Sequence, residues 1–163
     1  MGAGVAVTTS AADALFLARA GSRHLGTLFA LSSALLILVL GYVGAAADRG
    51  DRGRLLVTLA LGAAAVVGLL GAGFELAPVP AAAVLLVAGK QVAAALDLAF
   101  WVLLAERVDA RESRRLLPLL IAAEGVGTVA GSFAVGPLAD HLGARGALAA
   151  GAALFACAAV PAL

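Results

Sequence analysis

Four ionisable side chains stand where water does not reach easily. Lys90 and Asp97 fall inside one long apolar run, Glu124 inside the next, and Asp13 inside an apolar N-terminal segment. A charge at the centre of a spanning helix costs about 2.5–3.5 kcal/mol on the insertion scale, so such residues turn towards a bundle interior or a watery cavity. Lys90 and Asp97 are seven residues apart, which puts them on one helix face two turns from each other. That face also carries Ala93 and Ala94 nearby, whereas Gln91 points elsewhere. Two uses fit the pair. In one, Lys90 and Asp97 touch a substrate or a coupling proton, and the ammonium suits an anionic solute. In the other they form a structural pair, or Lys90 reaches outward towards Glu75 at the interface. Asp13 is a third candidate substrate contact if the first helix lines the cavity, and a rim residue if that helix is short. Glu124 lies ~9 Å into its run at ~1.5 Å per residue, within reach of Arg114 or Arg115.

The elements that must hold these groups are helices in lipid. Apolar runs cover residues 25–47, 55–76, 81–105, 118–139 and 146–163, with a shorter one over 1–17. About 20 apolar residues are needed to cross a ~30 Å hydrocarbon core as a helix. Hydrophobic residues make up 63% of the chain and charged residues 13%, and mean hydropathy is +1.08. A soluble domain of 163 residues cannot bury so much apolar surface. Residues 35–40 and 81–88 are apolar without the alternation of a barrel strand, so the spans are helical. The expected fold is all-α: one transmembrane domain, a polytopic helical bundle of five to six spans. Pro78 and Pro80 mark a tight interfacial turn between the third and fourth runs.

Other chemistries find no footing. Gly2 and Gly4 lack the Gly-Lys-Ser/Thr of a phosphate loop. His24 and His141 lie outside any HExxH or Cys/His cluster, so no metal site is expected. No serine sits in GxSxG. The chain reads as a non-enzyme without cofactor. A net charge of +1 gives no basic field for nucleic acid. Residues 1–10 hold no Lys or Arg, unlike the charged start of a signal peptide. Cys157, the single cysteine, is expected as a small packing residue.

Arginine sets the expected topology. Strip 48–54 carries Arg49, Arg52 and Arg54, and strip 106–115 carries Arg107, Arg111, Arg114 and Arg115. Two spans separate the strips, so both face one side, and cationic loops collect in the cytoplasm. Arg19–His24 and the strip 140–145 then face outward. Trp101 and Tyr42 suit interfacial anchors. Gly127 and Gly131 form a GxxxG, whose small residues let helices approach closely. Gly62, Gly68 and Gly71 read as packing contacts.

The strip after the second helix reads Gly44-Ala-Ala-Ala-Asp48-Arg49-Gly50-Asp51-Arg52-Gly53-Arg54. It resembles the signature loop between helices 2 and 3 of the major facilitator superfamily, with extra residues between the Asp-Arg pair and the final Gly-Arg. A second partial copy runs from Gly136-Pro137 through Asp140 to Arg145. Its Gly-Pro is similar to the one that ends helix 5 there, and Gly125, Gly127 and Gly131 precede it. A narrower similarity, to the ATP/ADP-translocase-like branch, rests on Asp13-Ala-Leu-Phe-Leu17 with Arg19 and Gly21, on Phe100-Trp101, and on Asp109-Ala-Arg111 with Arg114-Arg115-Leu116. The resemblance implies half of a twelve-helix carrier, itself a pair of inverted three-helix repeats with substrate bound near the midplane between halves. It makes Gly44, Asp48, Arg49, Gly53 and Arg54 a conformational latch, with ordinary positive-inside anchoring as the other reading. It also places Gly127, Gly131, Gly136 and Pro137 at helix packing.

The expected function is secondary transport of a small, anionic solute by alternating access in a bacterial-type inner membrane. The partners are then the lipid bilayer, the solute, and a second copy or another membrane chain that completes the cavity. The alternative is a non-transporting fragment or scaffold that associates with other membrane helices. In either case the protein should stay with the membrane pellet after alkaline carbonate extraction. A polypeptide that remains dissolved and monodisperse without detergent removes the basis of both.

Overall fold

The computed structural model describes residues 2–20, 24–73 and 78–159. All regular structure among them is helical. Helix α1 spans Gly2–Ala20, α2 Leu25–Arg49, α3 Arg52–Gly73 and α4 Pro78–Arg107. A last run, Ala110–Ala159, breaks at Gly143 into α5 (Arg111–Gly143) and α6 (Arg145–Cys157). The all-α expectation holds. Four helices, α2 to α5, are long and apolar enough to cross a membrane. Helices α1 and α6 are shorter apolar rods, so the described residues hold six helices, four of them with the length and composition of a span. At ~1.5 Å per residue α1 still covers ~28 Å.

Local chemistry explains most of the ends. The His24 carbonyl accepts from the N–H of Leu28 at 3.1 Å and from the Thr27 hydroxyl at 2.8 Å, which starts α2. Gly50 closes it in extended backbone, its N–H on the Ala46 carbonyl at 3.2 Å. Pro78 opens α4, where a missing N–H costs nothing. Several boundaries differ from those expected: α1 runs on to Ala20, α3 starts at Arg52, and α4 starts at Pro78, so that Pro78 and Pro80 lie in its first turn. Helix α4 runs on to Arg107. The next helix begins eight residues before Pro118, because the Asp109 carbonyl takes the Ser113 N–H at 2.8 Å. Polar strip 140–145 is no loop either. It stays helical except at Gly143, whose φ of 71° and ψ of 176° suit glycine almost alone.

Helix α1 is the hub. Its Val7, Thr8, Ala11, Ala12 and Phe16 are buried. With Leu85, Leu86 and Leu96 of α4, Val67 of α3, Val43 of α2, and Leu148 and Phe155 of α6, they make the core. Helix α1 packs on α4, α5 and α6; α2 packs chiefly on α4; α3 packs on α4 and α6. This pattern maps onto itself when helices 1, 2 and 3 are exchanged with 4, 5 and 6. The pair α1–α5 becomes α4–α2, α1–α6 becomes α4–α3, and α1–α4 and α3–α6 return unchanged. Helices α2 and α5, partners under that exchange, are the most exposed of the four long helices.

Small residues make the hub possible. A Cβ on Gly131 would stand 2.6 Å from the Ala3 carbonyl oxygen and 2.9 Å from its Cα, and one on Gly127 3.4 Å from the Ala3 nitrogen. Gly151 of α6 faces Thr8 in the same way. Gly136, expected at a packing contact, borders open space, and Pro137 is exposed. Gly62 and Gly68 are open as well, whereas Gly71 meets Leu148 at 3.4 Å. Cys157, expected to pack, is exposed. Gly131→Ala should therefore force α1 off α5 and cost about 1–3 kcal/mol, as overpacking does. Gly136→Ala should stay within ~0.5 kcal/mol. Unfolding of the two variants in detergent tells them apart.

Candidate functional site

The heptad spacing on α4 does what the sequence suggests. At about 100° per residue, Lys90, Asp97 and Trp101 lie within ~40° of one another around the helix. Helix α1 presents Ser10, Asp13, Ala14 and Leu17 as its partly or fully exposed side. The two faces meet where Lys90 Nζ stands 3.9 Å from Asp13 Oδ1. The Lys90 ammonium also lies 4.7 Å from the centre of the Phe29 ring of α2. The lysine is thus shared between a carboxylate and an aromatic face, a combination that stabilises a cation out of water. Both members of the ion pair stay partly open, with 33% and 43% of their side chains exposed, so the site borders an open flank.

Asp97 is not the partner of Lys90. It is exposed, and its Oδ1 accepts the Trp101 indole N–H at 2.9 Å. Trp101, expected as an interfacial anchor, also meets Phe100 edge to face, ring centres 5.4 Å apart. Below it a cavity of about 400 Å³ opens between the end of α4 and the start of α5, walled by Trp101, Leu104, Leu116 and Leu120. Glu124 makes no ion pair with Arg114 or Arg115. It sits beside Gly2, where its own backbone carbonyl accepts the Thr128 hydroxyl at 2.9 Å. The proposed reach of Lys90 to Glu75 falls outside the described residues, as do strip positions 21–23 and residues 160–163.

Gln91 is the interior polar group that the sequence reading passed over. It is buried against α2, and its Nε2 donates to both the carbonyl and the hydroxyl of Ser32 at 2.9 Å. The carbonyl only accepts, so the amide orientation is fixed and Gln91 Oε1 is left buried without a partner. The signal was available: a Gln and a Ser, each midway along an apolar span, can satisfy each other across two helices.

At the Arg-rich end Gly53 and Arg54 make polar contacts, whereas, among the described residues, the side chains of Asp48 and Arg49 make none. Asp48 is exposed, Arg49 is the last residue of α2, and Gly44 borders open space. Among the described residues neither Asp48 nor Arg49 makes an ion pair. Asp51 caps α3 instead. Its Oδ1 accepts the N–H of Gly53 at 2.9 Å and of Arg54 at 3.3 Å, and its Oδ2 lies 3.6 Å from Arg54 Nε. Arg52 then ties three elements. Its Nε donates to the Ala47 carbonyl of α2 at 3.3 Å, and its Nη1 stands 3.5 Å from Glu106 Oε2 of α4. That bond places strips 48–54 and 106–115 at one end of the bundle.

Comparison with known proteins gives no relative: no family model, no curated protein and no solved structure matches the chain.

The capping geometry separates two neighbouring carboxylates. Asp51→Ala should lower unfolding free energy by about 1 kcal/mol, the worth of an N-cap. Asp48→Ala, with no bond to lose, should stay within ~0.5 kcal/mol. Equal effects of the two in detergent unfolding would refute the assignment.

Proposed function

We propose that the chain is one half of a secondary carrier that works by alternating access, similar in plan to half of a major facilitator transporter. The observation that carries this reading is the Lys90–Asp13 pair, set well inside the helices on a half-open flank beside Phe29. A substrate contact needs access, and a charged pair inside a bundle that is left half open offers it. The packing pattern adds support, since two equivalent three-helix units are what inverted repeats of such carriers use. One bundle supplies one wall of a central cavity. The open flank of α1 and α4, with Asp97 and Trp101 further along it, is that wall, and a second copy or another membrane chain supplies the other. Loops 48–54 and 106–115 face the cytoplasm of a bacterial-type inner membrane, by the charge rule. An anionic group on a small solute binds Lys90 by taking over the place of Asp13. Arg52, bridging α2, α3 and α4, stands in the latch position and stiffens that end while the halves rock.

The other reading is a scaffold that only binds membrane helices, favoured by the short α1 and α6 and by the exposure of α2 and α5. Uptake into proteoliposomes with a panel of labelled organic and inorganic anions decides between them. Uptake of at least one anion, reduced roughly tenfold or more in Lys90→Ala at equal reconstitution, is expected; a factor of ten corresponds to about 1.4 kcal/mol of lost interaction. Full uptake and unchanged solute range in Lys90→Ala would remove the site. No uptake of any solute, together with a lone monomer on crosslinking in native membranes, would leave the non-transporting fragment.

A further inference from the structure

A second site lies on the other side of α4. Helices α2 and α3 scarcely touch. Between them, with α4 as its floor, lies a cleft of about 420 Å³. Leu38 and Tyr42 of α2, Gly62 and Val66 of α3, and Gln91 and Ala95 of α4 are among its walls. The volume is in the range of small-molecule sites, about 300–1,000 Å³. Gln91 and Ala95 are turned roughly 100–140° away from Lys90 around α4. The cleft is therefore separate from the charged flank, and nothing below depends on the carrier reading.

The walls are almost wholly apolar; of the polar residues there, Tyr42, Thr58 and Gln91, the buried Gln91 points to a ligand. Gln91 lines the cleft, is nine-tenths buried, and spends both Nε2 hydrogens on Ser32. Its Oε1 has no donor. In hydrocarbon no water supplies one, and an acceptor left bare there is costly. A plain acyl chain would fill the cleft and leave that oxygen bare. We propose that the α2–α3 cleft binds a small uncharged amphiphile: a hydrocarbon body that lies between the two helices and one hydroxyl that donates to Gln91 Oε1. The oxygen is covered, so the hydroxyl reaches it by parting α2 from α3, which little contact opposes. Gly62 keeps the wall low, since a Cβ there meets nothing within 4 Å.

The test uses the full chain in phosphatidylcholine nanodiscs and a dodecanol carrying a photoreactive diazirine, with the matching dodecane as control. Labelled residues are mapped by mass spectrometry. The alcohol should label the α2, α3 and α4 segments that wall the cleft. Unlabelled dodecanol should displace it about tenfold better than dodecane, which is one hydrogen bond of about 1.4 kcal/mol. Gln91→Leu should erase that preference while labelling persists. Gly62→Leu, which fills the cleft without touching the amide, should cut labelling about tenfold or more. Equal displacement by alcohol and alkane in the unsubstituted protein overturns the proposal. So does labelling spread evenly around the bundle, as for ordinary annular lipid, or full labelling of Gly62→Leu.

Discussion

The close crossing of α1 over α5 and α6 is the constraint on which the rest depends. In lipid no hydrophobic force draws one apolar helix to another, so packing at short range must do it. Gly131 and Gly151 provide that range, one against the backbone of Ala3 and the other against Thr8. Once α1 is seated there, its buried side is committed to the core through Val7, Ala11 and Phe16. Its remaining side must face α4 and the open flank. Asp13 lies on that side and meets Lys90 for this reason, not because the two carry complementary signals in the sequence.

Electrostatics then sorts α4 into two unlike halves. One half carries Lys90, Asp97 and Trp101 and is partly exposed. The other carries Gln91, Ala95 and Leu96 and faces α2 and α3. A helix so long and apolar could have turned any face to lipid. The polar groups decide, because each needs a partner in a medium that offers none. Lys90 takes Asp13 and Phe29, Asp97 takes the Trp101 indole, and Gln91 takes Ser32. These contacts fix the rotation of α4 and hence which flank is charged and which is greasy.

The helical class, the order of the segments and the shared end of the two arginine strips were legible because each follows from composition along the chain. The GxxxG of α5 was legible as a motif, and the structure finds it against α1. Pairings between distant segments were not. Lys90 and Asp97 read as a pair because periodicity reports neighbours on one helix, while the true counter-ion sits 77 residues away on another. The prolines misled as well. Pro118 looked like a beginning and strip 140–145 like a loop, but the helix runs through Pro118 and on to Gly143, where it breaks. Only Gly143, free to take a positive φ, lets the chain turn.

The Arg-rich end shows how a loop too short to pack can still tie helices together. Asp51 fixes the first turn of α3, and Arg52, the next residue, is thereby held between the last carbonyls of α2 and the Glu106 carboxylate of α4. A guanidinium offers several donors in one rigid plane, so it can serve both partners at once where an ammonium would choose. Any rotation of α2 against α4 must break one of the two bonds. Arg52 therefore holds α4, which carries the charged flank on one side and the cleft on the other, to α2 at the end where the arginines collect.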